Sequence, residues 1–260
     1  MKNTLRPILL AATLLAGAGH GLGQDDPFFA PNPYVQAVAA FERGDMATAE
    51  KLTEPLAQVA EPSADTCALL GRIRQSQKRW SDATRWLERA VAARPDNAPL
   101  LTFLGLALLD QANACEGQQQ ADLARGALAR LRQAQTLAPD YLDARMGLVR
   151  YHLTAPSGRD AAQAWSQAEA AAQLDPGSAP YDIAELAERA GDLPLAEKYY
   201  RACAVDSPEE PWLHWSVARV QIARGAIDEA RAGLQKLLQT FPGFGPAQEA
   251  LAKLPPPPAK

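Results

Sequence analysis

Apolar residues recur at helical spacing along nearly the whole chain. In LTFLGLALLD, Leu101, Leu104 and Leu108 fall at i, i+3 and i+7, so they share one face of a helix. In LERAVAARPDN, residues 87–97, Leu87 and Ala90 lie on one side before Arg94-Pro95 stops the helix. The stop is repeated: Pro95, Pro139, Pro176, Pro208 and Pro242 are separated by 44, 37, 32 and 34 residues. Twelve residues before each proline stands an alanine (Ala83, Ala127, Ala164, Ala196, Ala230). Five before each stands a small or apolar residue (Ala90, Ala134, Ala171, Cys203, Leu237). Apolar residues make up 47% of the chain and aromatics only 7%, so the apolar content is mostly Ala and Leu. Both are strong helix formers, and the pattern predicts an all-α protein.

Upstream of these stretches lies a second helical pattern, with a small residue where two helices must approach closely. CALLGRI has Gly71, LTFLGLAL has Gly105, YDIAELA has Ala184 and HWSVARV has Val217-Ala218. Turns separate the two patterns, with Gly44 in ERGD, Gly191 in RAGD and Gly225 in ARGA. Glycine fits a helix C-terminus because it takes the left-handed conformation at little cost.

This combination resembles the tetratricopeptide repeat (TPR), a helix–turn–helix unit of about 34 residues. The resemblance implies a right-handed α-solenoid of about six repeats with a C-terminal capping helix. Five repeats are expected at 64–97, 98–141, 142–176, 177–210 and 211–244, after a divergent one within 24–63. GPAQEALAKL, 245–254, reads as the cap, and a Pro-rich tail follows at 255–260. Trp80, Trp86 and Tyr200 are expected to pack between helices. Two repeats are expanded. Polar QANACEGQQQ adds residues between Gly105 and Ala127, as a loop or as lengthened helix ends, and APSGRD should break its helix at Pro156 and Gly158.

Charge and special residues narrow the chemistry. The formal net charge is −4 and there is no dense Lys/Arg block, which argues against nucleic acid and anionic membranes. The start, MKNTLR followed by ILLAATLLAGAG, reads as a secretory signal over 1–23, cleaved before Gln24 or Gly19. No cysteine closes the apolar run, so no lipid anchor is expected, and the mature protein should be periplasmic or secreted. No later segment reaches the roughly 20 apolar residues of a membrane helix. Cys67, Cys115 and Cys203 have no CxxC spacing, and only His152 and His214 remain after the signal, so no metal or cofactor is expected. Cys67 and Cys203 fall at core-facing positions several repeats apart. Cys115 lies in the first insertion, which leaves a disulfide-linked dimer through it open.

In TPR proteins the first helices of successive repeats line a concave groove that receives a peptide or extended segment. Carried onto this chain, the groove positions are Arg72 and Gln75; Thr102, Leu106 and Leu109; Arg150; Tyr181, Glu185 and Glu188; and Trp212, Trp215 and Arg219. The Lys/Asn set with which some relatives hold a C-terminal carboxylate is absent from them. Glu185 and Glu188 at i, i+3 are expected on a solvated helix face rather than as catalytic carboxylates. With no Ser/His/Asp set and no phosphate-cradling glycine loop, the expectation is a non-catalytic scaffold of the bacterial cell envelope that binds a protein or peptide. The alternatives are a solenoid subunit or substrate platform of an envelope enzyme complex, or a peptide- or sugar-binding module.

Overall fold

The computed structural model describes residues 32–256. The expected signal over 1–23, both cleavage sites and residues 257–260 of the tail lie outside the described residues. Among the described residues there are thirteen α-helices and no strands. The chain divides into two compact units, Met1–Pro139 and Asp140–Lys260.

The first unit holds α1 (Pro33–Glu42), α2 (Met46–Ala57), α3 (Ala64–Ser76), α4 (Trp80–Ala93), α5 (Ala98–Asn113) and α6 (Gly117–Leu137). Each helix packs on the next in the chain. Short polar side chains start several of them: Asp45 accepts from Thr48 N at 3.1 Å, Ser63 from Thr66 N at 3.1 Å and Asn97 from Leu100 N at 3.0 Å. Each bond satisfies an amide that has no partner within the helix, which stabilises it by about 1 kcal/mol. The small residues read from the sequence sit where helices touch. A Cβ on Gly71 would lie 2.6 Å from Leu87 Cγ, and one on Gly105 would lie 2.7 Å from Leu131 Cγ. Leu87 and Leu131 are fully buried, and each such leucine stabilises the fold by about 1.5–3 kcal/mol. Trp80 and Trp86 are half-buried.

The first insertion is helix rather than loop. Helix α5 continues to Asn113 and the 21-residue α6 begins at Gly117, leaving only residues 114–116 between them. Gly117 supplies the turn with a left-handed φ of 68°.

The second unit holds α7 (Leu142–Thr154), α8 (Ala161–Leu174), α9 (Ala179–Ala190), α10 (Leu193–Asp206), α11 (Pro211–Ala223), α12 (Ile227–Thr240) and α13 (Gly245–Lys253). Its main core gathers Val149, Ile183, Leu195 and Val220 with Tyr199 and Tyr200. APSGRD breaks the helix between α7 and α8 as expected. Tyr151 Oη donates to Ser157 O at 3.2 Å across this loop. A Cβ on Gly158, which has a φ of 87°, would lie 2.7 Å from the same hydroxyl. Helix α13 closes the last pair through Ala247, buried with Ala218, Leu234 and Leu237. The fold is all-α, with helix pairs stacked in solenoid fashion within each unit.

Candidate functional site

In the first unit the surface of interest is built by α1, α3 and α5. Arg72 stands on α3 with its guanidinium over two rings, 4.6 Å from the centroid of Phe41 and 4.6 Å from that of Phe103. Gln75, one turn on, donates from Nε2 to Asp110 Oδ2 at 2.6 Å. Leu106 is half-buried.

Thr102 and Leu109 require correction. Both are fully buried, and Thr102 Oγ1 donates to Ala98 O at 2.9 Å. Neither can meet a partner on this surface. Helix α5 is apolar on almost every face, so its pattern does not say which face points outward. The sequence reading also gave no role to Phe41 or Phe103, whose rings hold Arg72 in place.

In the second unit the corresponding helices are α7, α9, α11 and α13. Arg150 on α7 is half-buried, and its carbonyl accepts from Thr154 Oγ1 at 2.8 Å. Tyr181 is 41% exposed, stands edge-on to Tyr200 at 6.0 Å and has its hydroxyl 3.4 Å from Glu185 Oε1. Glu188 accepts from Tyr200 Oη at 2.9 Å and pairs with Arg219 Nη1 at 2.6 Å. The two glutamates therefore do different things. Glu188 is bound to an arginine and a phenol, while Glu185 is exposed with the Tyr181 hydroxyl near it. Burial, followed by the charge of Glu188, pushes the Tyr200 phenol well above its ordinary value.

Arg219 is thus drawn toward α9, whereas the tryptophans of α11 are drawn toward the cap. Trp212 is 55% exposed and stands edge-to-face with Phe244 at 4.8 Å. Trp215 is half-buried against the α12–α13 core. With Ile222, Pro246, Ala250 and Leu254 it lines an open groove of about 470 Å³ between α11 and α13, which Glu249 and Lys253 also border. Sequence reasoning missed Ile222 and the α13 residues. The i, i+7 spacing from Trp215 to Ile222 was available as a signal for the first.

The three cysteines are free: Cys67 buried, Cys115 and Cys203 half-buried. Burial pushes the Cys67 and Cys203 thiols above their usual range. Nothing among the described residues supports a dimer through Cys115. No group of three or more His, Cys, Asp or Glu among the described residues could hold a metal ion, and no described helix is long and apolar enough to cross a membrane.

Comparison with known proteins agrees with this architecture. Residues 187–254 match the family model for the tetratricopeptide repeat. Cellulose synthase operon protein C of Pseudomonas fluorescens (strain SBW25) is 28% identical over 281 aligned residues. That alignment takes in 90% of this chain, which spans only 21% of the length of that relative. The fold resembles that of PilW, a type IV pilus biogenesis factor, with a TM-score of 0.60 and 17% identity over 84% of this chain and 96% of that one. It also resembles the human IFIT1 dimer with PPP-AAAA, with a TM-score of 0.62 and 17% identity over 84% of this chain and 53% of that one. At such identities the two structures speak for the fold alone. The match over 187–254, taken with the stacked helix pairs before that stretch, supports a tetratricopeptide-repeat identity for the chain.

Proposed function

We propose that this protein is a non-catalytic scaffold of the bacterial cell envelope, which binds a protein or peptide partner along the face built by the first helices of its repeats. The observation that carries the proposal is the groove between α11 and α13. Its floor is apolar, and Trp212, which packs on Phe244 beside it, keeps 55% of its surface in water. Tryptophan and arginine are the side chains that most often anchor interfaces. The signal-like start supports an exported location, with the mature chain starting at Gln24 or Gly19. The engagement of Glu188 by Arg219 and Tyr200 favours a binding role over an acid–base one.

One observation favours a second reading, a solenoid subunit of an envelope enzyme complex. Ninety per cent of this chain aligns with a cellulose synthase operon protein. The two readings differ in what the face would hold, a partner protein in the first case and a machine that handles polysaccharide in the second.

The test is a pull-down from envelope extract with the wild-type chain, Trp212→Ala and Trp215→Ala. Trp212→Ala should weaken capture of the partner by about 2 kcal/mol while lowering the melting temperature less than Trp215→Ala does, since it loses only the ring contact with Phe244. Trp215→Ala should weaken capture and also lower the melting temperature, because its ring belongs to the core beneath α13. Undiminished capture by both variants would refute the groove as the binding face. Recovery of polysaccharide-synthesis components by the wild-type chain would favour the second reading.

A further inference from the structure

The other side of the second unit, built by α10 and α12, carries a cleft that the α11–α13 groove does not explain. One repeat position on its wall lacks a side chain. Three residues after the repeat alanine stand Trp86, Arg130, Gln167, Tyr199 and Gly233 in successive repeats. Glycine in α12 is the one that brings no side chain.

The equivalent helix of the preceding repeat shows this position filled by a buried ring. On α10, Tyr199 is buried at 5% exposure, and the ammonium of Lys198 lies over both its ring and that of Trp165 on α8, at 5.3 and 5.0 Å. One repeat later, with Gly233, an open cleft of about 570 Å³ remains between α10 and α12, floored by α11. Its walls are apolar at Val205, Val217, Leu237 and Phe241, and Val205 is 77% exposed. The size falls within the range of pockets that enclose a ligand.

The charges around the cleft are uneven. Among the described residues, Glu229 is the only carboxylate lining it and is already held by Arg224 at 3.0 Å and Arg201 at 3.5 Å. Arg201 is balanced in turn by buried Glu197 at 2.7 Å. His214 has Nε2 3.0 Å from Pro208 O. Lys236, exposed on the lining, makes no ion pair among the described residues.

We infer that the α10–α12 cleft is a second docking site, which takes an aromatic side chain carried on an acidic segment of a partner protein. The ring would occupy the volume that Tyr199 fills one repeat earlier, and a flanking carboxylate would meet Lys236. The site is lined by other residues of α11 than Trp212 and Trp215 and does not depend on the groove reading.

The probe is a short synthetic peptide, acetyl-Asp-Glu-Tyr-Glu-Asp-amide, titrated into the isotope-labelled chain and followed by amide resonances. Saturable shifts at Val205, Gly233 and Lys236 are expected. A Cβ on Gly233 would meet only Gln221 Oε1, at 3.8 Å, so the position accepts a side chain without strain. Gly233→Tyr should fill the cleft from within, weakening the peptide at least about tenfold, while Gly233→Ala should still bind it. Lys236→Glu should weaken it about fivefold, as expected for reversal of a rim charge. Trp212→Ala should leave this titration unchanged, which separates the cleft from the groove. The inference is overturned if the peptide fails to bind at millimolar concentration, or if Gly233→Tyr binds it as the wild type does. It is also overturned if a lysine-substituted peptide binds equally well, or if 4-hydroxyphenylacetate saturates these resonances where the peptide does not.

Discussion

Gly71→Ala tests the helix contact on which the repeat depends. The added Cβ would lie 2.6 Å from Leu87 Cγ, 3.2 Å from Leu87 Cδ2 and 3.2 Å from the carbonyl of Ala83. Comfortable carbon contacts begin near 3.5 Å, so roughly 1 Å of space must be made. Leu87 is fully buried and has no solvent-filled space to enter, so the room must come from a strained rotamer or from spreading α3 and α4. Overpacking of this kind costs about 1–3 kcal/mol. The same substitution gains about 1 kcal/mol of helix propensity, which hides part of the cost. Gly126→Ala removes the ambiguity. It lies within α6, and its Cβ would meet only Leu108 Cδ1, at an ordinary 3.6 Å. Both variants receive the propensity gain and only one receives the clash. Gly126→Ala should therefore be stabilised, and Gly71→Ala should melt below it by about 3–9 °C. Thermal melts followed by circular dichroism measure the difference. A Gly71→Ala chain that melts at or above Gly126→Ala would refute close approach at Gly71.

Two further predictions concern buried polar groups of the second unit. Glu197 is 4% exposed and ties α10 to α11, accepting from Gln221 Nε2 at 2.8 Å and pairing with Arg201 at 2.7 Å and with Arg224, at the end of α11, at 2.6 Å. Both arginines can turn to water but Gln221 cannot, so Glu197→Ala should cost about 1–3 kcal/mol by urea denaturation, and a negligible loss would show that the network is ornamental. At high pH, Tyr199 and Tyr200 should ionise later than exposed Tyr181. Burial, then Glu169, pushes the Tyr199 phenol up to about 12, and Tyr200 is raised in the same direction by burial and Glu188. Raised phenols favour the folded state while neutral, so their contribution is complete below about pH 10, where unfolded phenols ionise, and is lost as pH climbs through the folded values. Phenolate absorbance and helical dichroism recorded together should show these two changing with unfolding. Ionisation of all six tyrosines before any loss of helix would contradict their burial.

The helix pairing was legible because it rests on residues whose chemistry admits few alternatives. Prolines end helices, glycine at a turn takes a positive φ, and a glycine or alanine at a crossing admits a neighbouring leucine. Gly44, Gly191 and Gly225 have φ values of 79°, 84° and 82°, as those turns require. The face of each helix was harder to read. In α5, where nearly every side chain is apolar, Thr102 and Leu109 look as available as Leu106, yet the first two are buried. The polar QANACEGQQQ was compatible with either a loop or longer helices, because Gln, Ala and Glu are good helix formers that also tolerate exposure. The cleft at Gly233 was out of reach. A mid-helix glycine shows an absence only when the filled equivalent, Tyr199, is seen beside Trp165.

The stack of Phe41, Arg72 and Phe103 bears on how the first unit melts. Repeat arrays are usually treated as a line of elements, each coupled only to the next, so that stability is a sum of intrinsic and adjacent-pair terms. The guanidinium of Arg72, on the middle pair, touches a ring of α1 and a ring of α5, so each contact joins adjacent pairs but the two are coupled through one cation. Each ring–cation contact is worth about 0.5–2 kcal/mol, and the two share one cation, so loss of either ring changes what the other is worth. Arginine suits this place because its guanidinium is planar and can be stacked on both faces, which a lysine ammonium cannot reproduce. A thermodynamic account of this unit therefore needs a three-body term spanning alternate pairs, and deleting the first pair would be felt two pairs away.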